Sequence, residues 1–116
     1  MNPADIAPSD IAQGQLDAYN AQDLEGYMAF FSDDCVVADL NGPVTMRGAA
    51  EIRARYARLF AEYPQNHARL VHRVVIGATV IDHEDVARAP EGPRFEVAAI
   101  YTTHGGKITR IDFVKG

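Results

Sequence analysis

Asp39, His72, His83 and Tyr56 are the residues whose types and placement could do chemistry, and that chemistry is proton transfer. Asp39 closes the segment Ser32-Asp33-Asp34-Cys35-Val36-Val37-Ala38-Asp39, which reads as a helix exit followed by a short apolar strand. If Cys35 and Val37 face inward, strand alternation turns Asp39 inward too. A carboxylate on the apolar face of a small domain is costly unless it has a partner or a job. One such job is to act as a base on an apolar substrate, since burial raises a carboxyl pKa toward neutrality. The competing reading is a cap on the turn at Asn41-Gly42-Pro43. His83 or His72, titrating near neutrality, could complement Asp39 as acid or as the group that orients a water. Alternatively both are core histidines bonded to their neighbours. Tyr19, Tyr27 and Tyr56 could point hydroxyls into the same space, although helical spacing alone explains them as core aromatics.

Other chemistries find less support. The histidines and carboxylates show no tight metal-ligand spacing of the His-Glu-x-x-His kind, and no glycine-rich phosphate loop or Ser-His-Asp signature stands out. No metal or other cofactor is expected. Cys35 lies in an apolar strand with no basic neighbour in sequence, an unfavourable setting for a nucleophile.

The elements that must position these residues can be read in order. Residues 1–8 form a Pro- and Ala-rich lead, and residues 9–116 a single domain. Ser9 reads as an N-cap, followed by Ile11, Leu16 and Tyr19 on one helical face. Asp23 caps a second helix, with Leu24, Tyr27, Met28 and Phe31 on its apolar side. Residues 35–39 and 44–47 make a short hairpin. Gly48 opens a third helix whose stripe is Ile52, Tyr56, Leu59, Phe60 and Tyr63, and Pro64 stops it. Four strands follow, at 68–76, 79–86, 95–103 and 107–114. The fold class is α+β, with helices packed on one face of a curved antiparallel sheet.

Two turns set a register. A two-residue turn at Gly77-Ala78 pairs Val74 with Ile81, His72 with His83, and Arg73 with Asp82. The apolar set then faces in, together with both histidines, while the Arg73–Asp82 pair and Glu84 face out. A turn at Gly105-Gly106 pairs Ile100 with Ile111 and Ala98 with Phe113 on the inner face. The other face keeps Val97, Ala99, Tyr101, Ile108 and Val114 beside Arg110 and Asp112. It is too apolar for a free surface, which suggests a homodimer through the outer sheet face.

Composition narrows the partners. Among 116 residues the formal net charge is −5, which argues against nucleic-acid and anionic-membrane surfaces. No apolar run approaches the ~20 residues of a membrane span. No signal peptide is evident, and the lone Cys35 suits a cytoplasmic setting.

The segments Asp23-Leu24-Glu25 and Phe31 through Asp39, then Arg47-Gly48-Ala49-Ala50-Glu51-Ile52-Arg53 with Tyr56, and Gly106-Lys107-Ile108, resemble the ketosteroid isomerases. The element order resembles the nuclear transport factor two-like superfamily, a cone-shaped, cystatin-like fold that includes SnoaL-like polyketide cyclases. The resemblance spans nearly all of the chain after residue 9. It implies three N-terminal helices on a curved sheet and a cavity for a small apolar molecule. It places Asp39 on the general base and Tyr56 on a supporting tyrosine, with Tyr19, Tyr27, Phe31, Phe60, His72, Ala98, Ile100 and Phe113 around the cavity. Gln15 and Ala98 occupy the two oxyanion-donor positions, and Phe31 that of another network tyrosine. The donors of that arrangement are therefore absent, at a cost of roughly 3 kcal/mol each. These residues together point to a cofactor-independent isomerase or lyase working by proton transfer, with Asp39 as base, His83 as acid and Tyr56 in support. The alternative is a non-catalytic binding or dimerisation module.

Overall fold

A proline in the first turn of a helix gives up no hydrogen bond, and Pro8 opens α1 (Pro8–Asn20) with Ala7 as its N-cap. The helix thus begins one residue before Ser9 and uses no side-chain cap. The computed structural model describes residues 6–116. Most of the proposed lead, residues 1–5, lies outside the described residues, and Pro8 belongs to the domain. Asp23 caps α2 (Leu24–Met28) as expected, its carboxylate accepting from the Gly26 N–H at 3.0 Å. Phe31 is not part of that helix. It is the first residue of β1 (Phe31–Asp39), which starts four residues earlier than the apolar run at 35–39 suggests.

The hairpin continues through β2 (Val44–Arg47) into α3 (Gly48–Glu62). Gly48 has φ +84°, a conformation that costs a residue with a Cβ and lets strand pass directly into helix. The third helix therefore follows the first two strands, so the helices are not all N-terminal. Then come β3 (His67–Ile76), β4 (Thr79–Ala87), β5 (Arg94–His104) and β6 (Lys107–Lys115), within a residue or two of their expected bounds.

The six strands form one sheet in the order β2-β1-β6-β5-β4-β3. It is not wholly antiparallel. β1 runs parallel to β6, pairing Val37 with Ile111 and Asp39 with Phe113, because the first hairpin is seated on the far edge of the C-terminal strand. The helices cover one face. Ile11, Ala12, Tyr27, Ile52 and Phe60 pack there against Phe31, Val37, Val80, Ala99, Ile108 and Ile111.

The β3–β4 register is the expected one, with His72 opposite His83 and Arg73 opposite Asp82. Its faces are inverted. Asp82, Glu84 and Val86 point under the helices with Val80, while Ile81 and His83 lie on the opposite face. A bulge at Val71 lets Ala68 and Leu70 stay inside at one end of β3 while Arg73 comes inside further along. The β5–β6 turn also has the expected pairing at first, Thr103 with Ile108. The extra residue Thr109 in β6 then shifts it, so that Tyr101 faces Ile111 and Ala99 faces Phe113. The slip falls on β6 and keeps both Ile108 and Ile111 buried. β5 alternates without a break, with Val97, Ala99, Tyr101 and Thr103 inside and Ala98 and Ile100 outside, the reverse of the expected facing.

The inverted face is held by an ion pair. Arg73 grips Asp82 with a two-pronged fork, Nε to Oδ1 at 2.7 Å and Nη2 to Oδ2 at 2.9 Å, and its Nη1 donates to Gln13 of α1 at 3.0 Å. Asp82 is fully buried. The fork satisfies both carboxylate oxygens, which is what makes the burial tolerable. Replacing Arg73 by Met should lower stability by about 3–5 kcal/mol, because it strands a buried charge. The double variant Arg73→Met/Asp82→Leu should recover most of that in urea denaturation. A single variant no less stable than wild type would show that the pair does not anchor the face.

Candidate functional site

Helices and sheet do not close completely on each other. Between them is a cavity of about 180 Å³, with Asp39 from β1, Tyr19 and Gln15 from α1, Tyr27 from α2, and Tyr56 from α3 in its wall. Glu84 of β4, Arg88 just after that strand, Arg55 of α3, Tyr101 and Phe95 of β5, and Phe113 and Lys115 of β6 add to the polar and aromatic part. Leu16, Val37, Leu59, Val86 and Val97 supply apolar wall.

Of the residues expected here, Asp39, Tyr56, Tyr19, Tyr27 and Phe113 line the cavity. Asp39 is half-buried. The turn after it closes through backbone, Gly42 N–H to the Asp39 carbonyl at 2.9 Å, with Asn41 at φ 57°. Phe31 and Phe60 sit behind the wall as buried core, stacked on the Tyr27 ring at centroid distances of 4.8 and 6.0 Å.

His72 and His83 are elsewhere. Both lie on the outer face of the sheet, their rings 5.8 Å apart, and His83 Nε2 is 2.7 Å from Glu96 Oε1. Neither shares the cavity with Asp39, so His83 cannot be the acid there, and Ala98 and Ile100 are on the wrong face for ligand contact. Cys35 is fully buried, its thiol pushed up to about 12 chiefly by burial, which removes it as a nucleophile at neutral pH. Among the described residues no group of three or more His, Cys, Asp or Glu side chains is placed to hold a metal ion.

The central residue of the site is Glu84. Strand alternation carries it inward two residues after Asp82. Asp82 has the Arg73 fork, but Glu84 Oε2 is buried without a hydrogen-bond partner among the described residues. Burial raises its pKa to about 7, the nearby Asp82 charge adds to this, and Arg73 only partly opposes it. At neutral pH the carboxyl is thus shared between its protonated and ionised forms. The tyrosines around it remain phenols. Tyr56 is raised to about 12 by burial, and Tyr101 is driven well above its ordinary value by burial and by the Glu84 and Asp82 charges. Tyr101 accepts a hydrogen bond from Gln15 Nε2 at 3.0 Å, which leaves its own O–H proton available to donate. Gln15 Nε2 also donates to the Ala12 carbonyl at 3.0 Å, which fixes the amide.

Sequence reasoning missed Glu84 and Tyr101 because it turned both strands the wrong way. The signal that could have found them is the outer face itself. Val74, Ile76, Ile81 and Ile100 make the solvent side nearly as apolar as the core side, so hydrophobicity could not choose between them.

A family model for the SnoaL-like domain matches residues 12–111. The chain belongs to the SnoaL-like domain family. An uncharacterised cystatin-fold protein from Novosphingobium aromaticivorans is 33% identical to this SnoaL-like domain, covers 94% of it with 98% of its own chain, and has a TM-score of 0.87. A candidate polyketide cyclase from Sinorhizobium meliloti shares 21% identity, with 98% and 100% of the chains covered and a TM-score of 0.77. A candidate ketosteroid isomerase from Kribbella flavida shares 14%, with 94% and 77% covered and a TM-score of 0.79. No curated protein matches the chain. The cystatin-like, nuclear transport factor two-like fold is thereby shown. Among the described residues no helix is long and apolar enough to cross a membrane.

The raised Glu84 pKa has a thermodynamic consequence. The folded chain holds this proton more tightly than the unfolded chain, whose carboxyl has a pKa near 4.5. The contribution of Glu84 to stability is therefore most favourable below about pH 4.5. It declines as pH rises to 7 and then levels off, by a total of about 3 kcal/mol. Glu84→Gln should lack this decline. Urea denaturation from pH 4.5 to 8 would show the two curves diverging, and parallel curves would mean that the carboxyl is not desolvated.

Proposed function

We propose that this SnoaL-like domain is a cofactor-independent isomerase or lyase that moves a proton on a small, largely apolar substrate. The observation that carries the reading is the unpaired, buried Glu84 carboxyl, with a pKa of about 7, in a cavity that also receives Asp39. Two carboxyls in different environments on one cavity supply an acid and a base. In this reading Asp39 takes a proton from the substrate carbon and Glu84 returns one. Glu84 thus takes the acid role first assigned to His83. The Tyr101 hydroxyl donates to the substrate oxygen on which charge develops, a task for which Gln15 orients it. Tyr56, on the same wall, supports the binding geometry.

Size selects among substrates. A cavity of about 150 Å³ encloses benzene, so 180 Å³ suits a single ring and is too small to enclose a steroid. A single-ring β,γ-unsaturated ketone such as 3-cyclohexenone is an appropriate probe, since its conjugation is followed by ultraviolet absorbance. Glu84→Gln and Asp39→Asn should each lower turnover by about 10²–10⁴-fold with the fold intact. Because the acid must be protonated, wild-type turnover should fall as pH rises through about 7, and this limb should vanish in Glu84→Gln. Full activity in either variant would sink the assignment. A chain that binds such ketones without converting them would be a binding module instead.

Self-association through the outer sheet face is part of the same proposal. Ile76 is 70% exposed, with Val74 at 48% and Val114 at 42% on the same face. An apolar sheet face of this kind is best covered by a second copy. Val74→Glu with Val114→Glu should convert a dimer to a monomer in light scattering. A monomeric wild type would refute it. The single buried thiol fits a cytoplasmic setting.

A further inference from the structure

The chain as a whole is acidic, at −5, yet its cavity is not. Three cations, Arg55, Arg88 and Lys115, line it against the two carboxyls Asp39 and Glu84. Protonation of Glu84 makes the balance more positive still. A cationic cleft on an acidic protein concentrates field lines for a negative ligand.

Arg88 is the built part of this arrangement. Its Nη1 donates to Asn66 Oδ1 at 2.7 Å and reaches the Tyr19 hydroxyl at 3.4 Å. Asn66 is 1% exposed, so the guanidinium is anchored from the protein side. The Phe95 ring lies 4.9 Å beneath it and that of Tyr63 6.0 Å away. Arg53, Arg69, Arg73, Arg94 and Arg110 each have a carboxylate partner. Arg47, Arg55, Arg58 and Arg88 have none among the described residues; the first three are exposed, whereas Arg88 is half-buried, and its Nε and Nη2 have no hydrogen-bond acceptor there. A half-buried guanidinium that is held still and left without a counter-charge lacks an anion, and its fork matches a carboxylate.

Glu84 and Val86 line the wall from β4, and Arg88, in the bend just after that strand, lines the same wall. The Tyr19 hydroxyl, on the same wall, accepts from Arg88 Nη1 at 3.4 Å. A ligand with its anion on Arg88 would lay its apolar body over Val86, Leu16 and Phe95 and point its other end at Glu84.

We propose that the cavity binds a small organic carboxylate of about one ring's size, its acid group on the Arg88 fork. This names the substrate class of the acid–base site and rests on that reading for turnover, though not for binding. The probe is benzoate, with benzamide as its neutral isostere, titrated calorimetrically at pH 6.5 and low salt. Wild type should bind benzoate at least about tenfold more tightly than benzamide, as expected for a charge-assisted fork. Amide signals of residues 16–19 and 86–88 should shift in nuclear magnetic resonance spectra. Arg88→Gln should bring the two affinities to within about twofold, and Arg88→Lys should keep part of the preference. Benzoate affinity should weaken as pH rises through about 7 in wild type and not in Glu84→Gln, since ionised Glu84 repels the ligand. Equal binding of the two probes by wild type overturns the proposal, and this needs no variant to fold. So does a preference undiminished in Arg88→Gln, or one whose spectral shifts fall outside the cavity. The outcomes also separate the two readings. Benzoate selectivity with no Glu84-dependent turnover of any ring ketone or acid upholds the anion site and removes the acid–base reading. Glu84-dependent turnover of neutral ketones without benzoate selectivity does the reverse.

Discussion

The fork between Arg73 and Asp82 decides which way the β3–β4 hairpin faces, and the cavity follows from that choice. A fully buried aspartate is stable only if its charge is matched and its oxygens are bonded. The fork does both, and Gln13 of α1 ties the arginine to the helix above. With Asp82 committed inward, alternation sends Glu84 and Val86 inward as well. The one arginine satisfies Asp82 and leaves Glu84 Oε2 without a hydrogen-bond partner among the described residues. The raised pKa of Glu84 follows from its burial and from the Asp82 charge beside it, on the same face of the same strand.

The cavity wall is otherwise built to keep its polar groups in one state. Tyr27, Tyr56 and Tyr101 are phenols under all ordinary conditions because burial penalises their anions. Gln15 is held by its bonds to Ala12 and Tyr101. Within this fixed surround burial raises the Glu84 carboxyl to about 7, so its charge changes near neutrality. The arrangement differs from that of the ketosteroid isomerases at the positions noted in the sequence, Gln15 and Ala98. Its cavity wall carries instead a phenol on β5, Tyr101, placed inside by the unbroken alternation of that strand.

Apart from the start of β1, four residues earlier than its apolar run, element positions were legible in the sequence to within one or two residues, because Asp23, Gly48, Gly77 and Gly105 mark boundaries by capping or by φ preference. The turns also set the β3–β4 pairing correctly. What could not be read was the facing of the strands. Two bulges, at Val71 in β3 and Thr109 in β6, leave no mark in hydrophobic alternation, and each exchanges inside for outside over the rest of its strand. The outer face is as apolar as the inner one, so the usual arbiter was silent, and the polar pair that belonged inside was assigned to solvent. Asp39 was found because Cys35 and Val37 are buried as alternation requires, although Ala38 is buried as well and the β1–β2 pairing shifts beside it. Glu84 and Tyr101 were lost because β4 and β5, which alternate without a break, were faced the wrong way, and Arg88 was hidden at the edge of what reads as a loop.

The parallel pairing of β1 with β6 carries a consequence for how the chain acquires this site. Residues 31–39 find their sheet neighbour at 108–113, so most of the chain lies in the loop that this contact closes. Such long-range pairing slows folding, because the loop entropy is lost before the contact repays it. Asp39 arrives on one of these strands, Phe113 and Lys115 on the other. α1, α2 and the first hairpin are made before β6, so the inner edge of β1 stays unpaired until residues 108–113 are available. The wall that carries Asp39, Phe113 and Lys115 therefore closes only when this long-range pairing forms, and the cavity is shaped by the contact that the chain is slowest to make.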